Sequence, residues 1–170
     1  MSVDASLDVL MAQLQIQMER LEALLVTSPL RQGDAETVAS RIVAGLRARD
    51  ITTTLYVPAS SARSDEAARE TTSPALRDQT RNLDASSRTF TPAQAGTPQL
   101  ARTLIASPGT VVVAAAPGVL EDPSALFLAA AADAVLLVVQ ARRTTRADLT
   151  RARVEIETAG GRLVGAVLRE

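Results

Sequence analysis

Three observations predict a single α/β domain whose mainly parallel sheet is covered by helices on both faces. Short apolar runs at 23–27, 110–115 and 134–140 lack the polar alternation of half-exposed strands, as expected of strands buried on both sides. The stretches between them repeat apolar residues at steps of three and four, the period of an amphipathic helix. Strand signals and helix signals alternate through most of the 170 residues, the order that builds parallel strands with helical crossovers.

The elements follow in order. Leu7, Leu10, Leu14, Met18 and Leu21 predict a first helix over about Ala5–Leu21, and Ala23–Thr27 a central strand ending at Ser28-Pro29. After a loop at 28–34, Val38, Ile42, Val43 and Leu46 mark a second helix ending near Asp50. Ile51–Val57 is β-branched and stops at Pro58, so it reads as a strand. From Ala59 to about Gly96 the composition is Ser, Thr, Ala, Arg and Asp, that of a long, mobile connection, with one short strand near Arg88–Thr91. The remainder is expected to be helix Pro98–Ala106, strand Thr110–Ala115, helix Pro123–Ala132, strand Ala134–Gln140, helix Thr145–Ala159 and strand Arg162–Leu168. The single tyrosine, Tyr56, falls in a strand and is expected to pack in the core.

Composition removes whole classes of chemistry. The chain has no Cys and no His, which excludes disulfides, thiol catalysis, imidazole metal sites and serine triads. All 18 basic residues are Arg, so no lysine is present to form a Schiff base or hold a phosphate. The net charge of −1 gives no general attraction to nucleic acid or anionic lipid. Apolar runs fall far short of the roughly 20 residues that cross a bilayer, and no secretory leader pattern opens the chain. A soluble, cytoplasmic protein with neither nucleic-acid binding nor direct membrane insertion is therefore expected.

The carboxyl ends of the predicted strands carry an ordered set of motifs. Val26-Thr27-Ser28-Pro29-Leu30, Val111-Val112-Val113 with Ala114-Ala115-Ala116-Pro117, Ala132-Asp133-Ala134 leading into Val135–Val139, Thr144–Leu149, and Gly165–Leu168 together resemble the bacterial tyrosine kinases of capsule and exopolysaccharide synthesis. These kinases group with the deviant-Walker, partitioning-type P-loop ATPases. The resemblance implies a P-loop NTPase-like domain over residues 1–170, in degenerate form.

The degeneracy lies in the residues that match the family's site. Its phosphate loop reads T-S-x-x-P-x-x-G-K-[ST]-T, whereas Thr27, Ser28, Arg31, Gly33, Asp34, Ala35, Glu36 and Thr37 mark the corresponding stretch here. Asp34 stands at the glycine position, Ala35 at the lysine and Glu36 at the Mg²⁺-binding hydroxyl. Three acids of the family are likewise replaced, by Pro58, Ser60 and Ala114. Asp34 is expected to cap the second helix with Glu36 in its first turn, so the chain's own carboxylates would occupy the helix terminus that elsewhere attracts phosphate. Two unit charges about 4 Å apart repel by a few kcal/mol at an effective dielectric of about 20. A less favoured reading gives Asp34 and Glu36 a metal ion; no metal and no cofactor is the expectation.

What the resemblance implies is a non-catalytic pseudo-ATPase or pseudokinase. It would act as a cytoplasmic binding or regulatory partner in polysaccharide synthesis, held at the inner face of the membrane by a copolymerase or an active homologue. The alternatives are an active ATPase or kinase in which Arg31 replaces the lysine, and a structural assembly subunit. On the first helix the family's E-x-x-R-x-x-R assembly motif aligns with Asp4, Leu7 and Leu10, which does not support ring formation, while Val9, Met11 and Ile16 beside the main stripe suggest a partner face or a homo-oligomer contact. Arg142, Arg143, Arg146, Arg151 and Arg153 read as a solvated helix with Asp148 and Glu155 as counter-charges, with a phosphate or acidic-partner surface as the alternative.

Overall fold

The computed structural model of the chain describes residues 21–30, 34–58, 87–90 and 109–169. In these the elements are β1 (Ala23–Thr27), α1 (Ala35–Arg47), β2 (Thr53–Pro58), β3 (Ser87–Phe90), β4 (Val111–Ala115), α2 (Pro123–Ala131), β5 (Ala134–Gln140), α3 (Arg146–Thr158) and β6 (Leu163–Arg169). The expected helices over Ala5–Leu21 and Pro98–Ala106, the partner face Val9, Met11 and Ile16, and most of the 59–96 connection lie outside the described residues.

Six strands form one sheet in the order β3-β2-β4-β1-β5-β6. Every pairing is parallel. β1 is interior, with Leu25 opposite Ala114 of β4 on one side and Val135 of β5 on the other. The predicted short strand is present as β3 on the edge, where Arg88 lies opposite Tyr56.

Strict alternation assigns the side chains to two cores. Leu24, Val26, Leu55, Val113, Leu136 and Val138 face α1, which lays down Val38, Ile42 and Leu46 at steps of four together with Ala35, Ala39 and Val43. Leu25, Tyr56, Val112, Ala114, Val135 and Leu137 face Ala125, Leu128 and Ala129 of α2 and Ala152 and Ile156 of α3. Burial on both faces explains the unbroken apolar runs. The abundance of alanine and valine lets helices sit close to the sheet.

Helix boundaries have local causes. Asp122 accepts a hydrogen bond from the Ser124 amide at 2.9 Å, and Pro123 supplies the fixed φ of a first helical residue, so α2 starts there. α3 opens with a reciprocal capping box between Thr145 and Asp148. α1 closes through Asp50, whose φ of 59° is the left-handed conformation that Asp tolerates better than most side chains. Beyond α3, a Cβ on Gly161 would come within 3.0 Å of the Ala129 carbonyl oxygen, so only glycine lets this turn pass beneath α2. β6 carries a register irregularity opposite Val135/Leu136, which puts Leu163 in the α2/α3 core and Val167 in the α1 core.

One tie does not follow from local pattern. Asp133, just before β5, accepts hydrogen bonds at 2.8 Å from both the Glu22 and Ala23 amides, and its own amide donates to the Ala23 carbonyl at 3.0 Å. This carboxylate fixes the start of β1 against the start of β5 and so sets their register. Asp133→Ala leaves two strand-end amides without their acceptor and is expected to lower stability by about 1–3 kcal/mol. Urea unfolding checks this; a midpoint equal to that of the parent would contradict it.

Candidate functional site

In parallel sheets covered on both faces, ligands collect at the carboxyl edge, where the strands end and the loops diverge. Here that edge is formed by Thr27-Ser28 after β1, Ala116–Val119 after β4, Ala141–Thr144 after β5, the N-terminus of α1, and Arg169 at the end of β6. Of the sequence-predicted positions, Thr27, Ser28, Asp34, Ala35, Glu36 and Thr37 are gathered there. Arg31, Gly33 and Ser60 lie outside the described residues, as does the side chain of Pro58, whose backbone ends β2.

The hydroxyls that open the loop serve the protein's own carbonyls. Thr27 is fully buried and donates through Oγ1 to the Pro117 carbonyl at 2.7 Å, while the Ser28 hydroxyl donates to the Leu30 carbonyl. The backbone is joined to the neighbouring connection as well: the Val119 amide donates to Ser28 O at 2.9 Å and the Leu120 amide to Pro29 O at 3.1 Å. The 28–30 segment is therefore an extension of the β1/β4 pairing, laced to residues 117–120.

Asp34 corrects one expectation. It occupies the residue before α1, with φ −77° and ψ 43°, but its side chain makes no capping hydrogen bond. Instead its Oδ2 lies 3.0 Å from Nη2 of Arg169, contributed by the last strand 135 residues away. A guanidinium, with planar donors and a permanent charge, outcompetes a helix amide for one carboxylate oxygen. Behind the pair, Ala35 is buried against the sheet, Glu36 is half-buried and Thr37 exposed. A carboxylate and a guanidinium thus stand paired beside the helix terminus.

Ala114 is 1% exposed and faces the α2/α3 core between Leu25 and Tyr56. Tyr56 is buried as expected, its hydroxyl accepting from Arg88 Nη1 at 3.4 Å. Among the described residues no group of three His, Cys, Asp or Glu side chains is placed to hold a metal ion, and no helix is long and apolar enough to cross a membrane. A shallow cleft of about 190 Å³ lies on the α2/α3 face, between Leu120, Asp122, Leu126, Arg151 and Glu155. It is smaller than the roughly 300–1,000 Å³ of pockets that enclose a nucleotide-sized ligand.

The five arginines near α3, read from sequence as one solvated face, separate into different environments. Arg153 pairs with Glu157 at 2.8 Å rather than with Asp148 or Glu155. Asp148 is engaged by Thr145, and Arg151 lies close enough to act on it. Arg142, Arg143 and Arg146 are exposed on the turn after β5 and the first residue of α3, at the carboxyl edge.

No family model matches the chain, and no curated relative matches it. Solved structures do. The kinase domain of the Escherichia coli tyrosine kinase ETK superposes with a TM-score of 0.72 at 17% identity, covering 99% of this chain and 75% of that one. The chimerical protein CapA2B2 gives 0.59 at 16% identity over 87% of this chain and 75% of the other. The VpsO kinase domain gives 0.56 at 18% identity over 88% and 85%. The fold is that of bacterial tyrosine kinase domains, as the sequence resemblance implied.

Two outcomes follow from the geometry. In a double-mutant cycle, Asp34→Ala and Arg169→Ala should couple by about 0.2–1 kcal/mol, the range for partly exposed ion pairs; strictly additive unfolding energies would contradict the contact. The Asp148 carboxyl is held below its ordinary value, first by the Thr145 hydroxyl and backbone amide and then by the Arg151 charge. A depressed carboxyl stabilises the fold fully above the ordinary carboxylate range and loses that contribution as pH falls through the lowered value. Thr145→Ala should move the Asp148 titration upward toward the ordinary carboxylate range in a carbon-detected NMR series, and an unchanged midpoint would contradict the assignment.

Proposed function

We propose that this domain is a non-catalytic relative of the polysaccharide-synthesis tyrosine kinases, a pseudo-ATPase that acts by binding other proteins. The observation that carries the reading is the Asp34–Arg169 pair at the α1 terminus, beside a Thr27 hydroxyl and Ser28 and Pro29 carbonyls that are already bonded to residues 117–120. A phosphate loop works by aiming unpaired amides, a lysine and a hydroxyl at an anion. At the matching positions this chain has a carboxylate, a methyl group and a second carboxylate, Asp34, Ala35 and Glu36. Pro58, Ser60 and Ala114 stand where the family places the acids that hold Mg²⁺ and activate the attacking group.

The resemblance to capsule and exopolysaccharide kinases supports a place in that machinery. On this reading the domain works in the cytoplasm, brought to the inner face of the membrane by a copolymerase or an active homologue. The partner face on the first helix, Val9, Met11 and Ile16, belongs to the same proposal.

Restoring the loop tests the reading. The triple variant Asp34→Gly, Ala35→Lys, Glu36→Ser returns backbone freedom, positive charge and a hydroxyl, and it releases Arg169. It should gain measurable Mg-ADP affinity over the parent while hydrolysing no ATP, because the acids at 58, 60 and 114 are still missing. ATP turnover by the unmodified protein, or autophosphorylation, would overturn the proposal.

A further inference from the structure

We infer that the turn after β5 is a docking site for an acidic protein segment that also carries an apolar residue. The inference rests on the preceding reading of the domain as a protein-binding module. Arg142 adopts a φ of 68°, in the left-handed region that glycine occupies freely and arginine disfavours. Of the two described non-glycine residues with positive φ, Asp50 ends a helix and is a type that tolerates it; Arg142 is neither. The turn that carries this conformation is tied down on both sides of Arg142: Ala141 N donates to Arg169 O at 2.6 Å, Thr144 N to Gln140 O at 3.0 Å, and Gln140 N to Thr144 Oγ1 at 3.2 Å. The chain therefore keeps a guanidinium where glycine would be more stable, and strain held in this way is a mark of a functional position.

Arg142 does not act alone. Arg143 and Arg146 are exposed beside it, and neither Arg142 nor Arg146 has an ion-pair partner among the described residues. The nearest acid in sequence, Asp148, is held in the capping box by Thr145. Arg169, whose carbonyl receives the Ala141 amide, is preceded by Leu168, which is 62% exposed and opposite Val139 of β5. The exposed arginines of this turn and an exposed leucine near the end of the paired strand thus lie on the same part of the carboxyl edge.

Charge around that corner selects the partner. Asp34, Glu36, Glu121 and Asp122 lie on the neighbouring loops and helix terminus of the same edge. A nucleic acid or an anionic membrane, whose negative charge extends over long distances, would meet these carboxylates as well as the arginines. A short acidic peptide is complementary in charge to the exposed Arg142 and Arg146, and an apolar side chain in it covers the exposed Leu168.

The test uses the whole chain and a short fluorescein-labelled peptide of glutamates interrupted by leucines, followed by anisotropy at low and high salt. The parent should bind it, more weakly as salt rises, and the Arg142→Glu/Arg146→Glu variant should bind at least about tenfold more weakly, because like charges then face each other. Arg153→Glu, at an arginine already paired with Glu157, should bind like the parent. Arg142→Gly keeps the assay interpretable without unfolding: it should melt no lower than the parent, since glycine suits that φ, and still bind more weakly. Unchanged affinity in either Arg142 variant, or binding of phosphatidylserine vesicles or DNA in place of the peptide, would overturn the inference. No peptide binding by a chain that also ignores Mg-ADP defeats this inference alone, whereas Mg-ADP binding defeats the reading beneath it too.

Discussion

Burial of the sheet on both faces is the constraint on which the rest of the structure depends. β1, β4 and β5 direct alternate side chains into two separate cores, one against α1 and one against α2 and α3. Such strands have no face left for chemistry, and polar groups within them would lie unpaired in an apolar layer. Thr27 shows the rule at its limit: fully buried at the last residue of β1, it keeps its hydroxyl bonded to Pro117. Functional side chains are confined to the carboxyl edge, and the identity of a few residues there decides what the domain does.

At that edge the chain satisfies itself. In a working phosphate loop the helix terminus is kept open, and its amides wait for an anion. Here Arg169 from β6 reaches Asp34 before α1, so charge of both signs is already balanced at the entrance, and the backbone of 28–30 is joined to 117–120. Exposed positive charge lies on the neighbouring turn after β5 and the start of α3, on Arg142 and Arg146. On the account proposed, this edge presents arginines to a protein rather than a phosphate loop to a small anion.

How much of this was legible in the sequence depended on distance along the chain. Apolar runs identified β1 and β5 residue for residue, and Pro123 after Asp122 marked the start of α2, because each signal is local. The third helix is a residue shorter at either end than Thr145–Ala159, with Thr145 as its cap. Local preference predicts Asp34 as a cap; its actual partner, Arg169, is 135 residues away and leaves no periodic trace. Asp133 was missed for the same reason, since the amides it holds belong to Glu22 and Ala23. Spacing alone merged the five arginines into one face; the strained turn at Arg142 and the Arg153–Glu157 pair divide them, and both are facts of three-dimensional placement.

On the function proposed, the α1 terminus beside the Asp34–Arg169 pair takes no nucleotide. Calorimetric titration of the unmodified chain with Mg-ADP and with Mg-ATP tests it most directly. The account predicts no binding heat for either at concentrations that saturate an active kinase domain. Saturable binding in the micromolar range would contradict it, because an anion would then bind beside the Asp34 carboxylate with no lysine at position 35 to hold it.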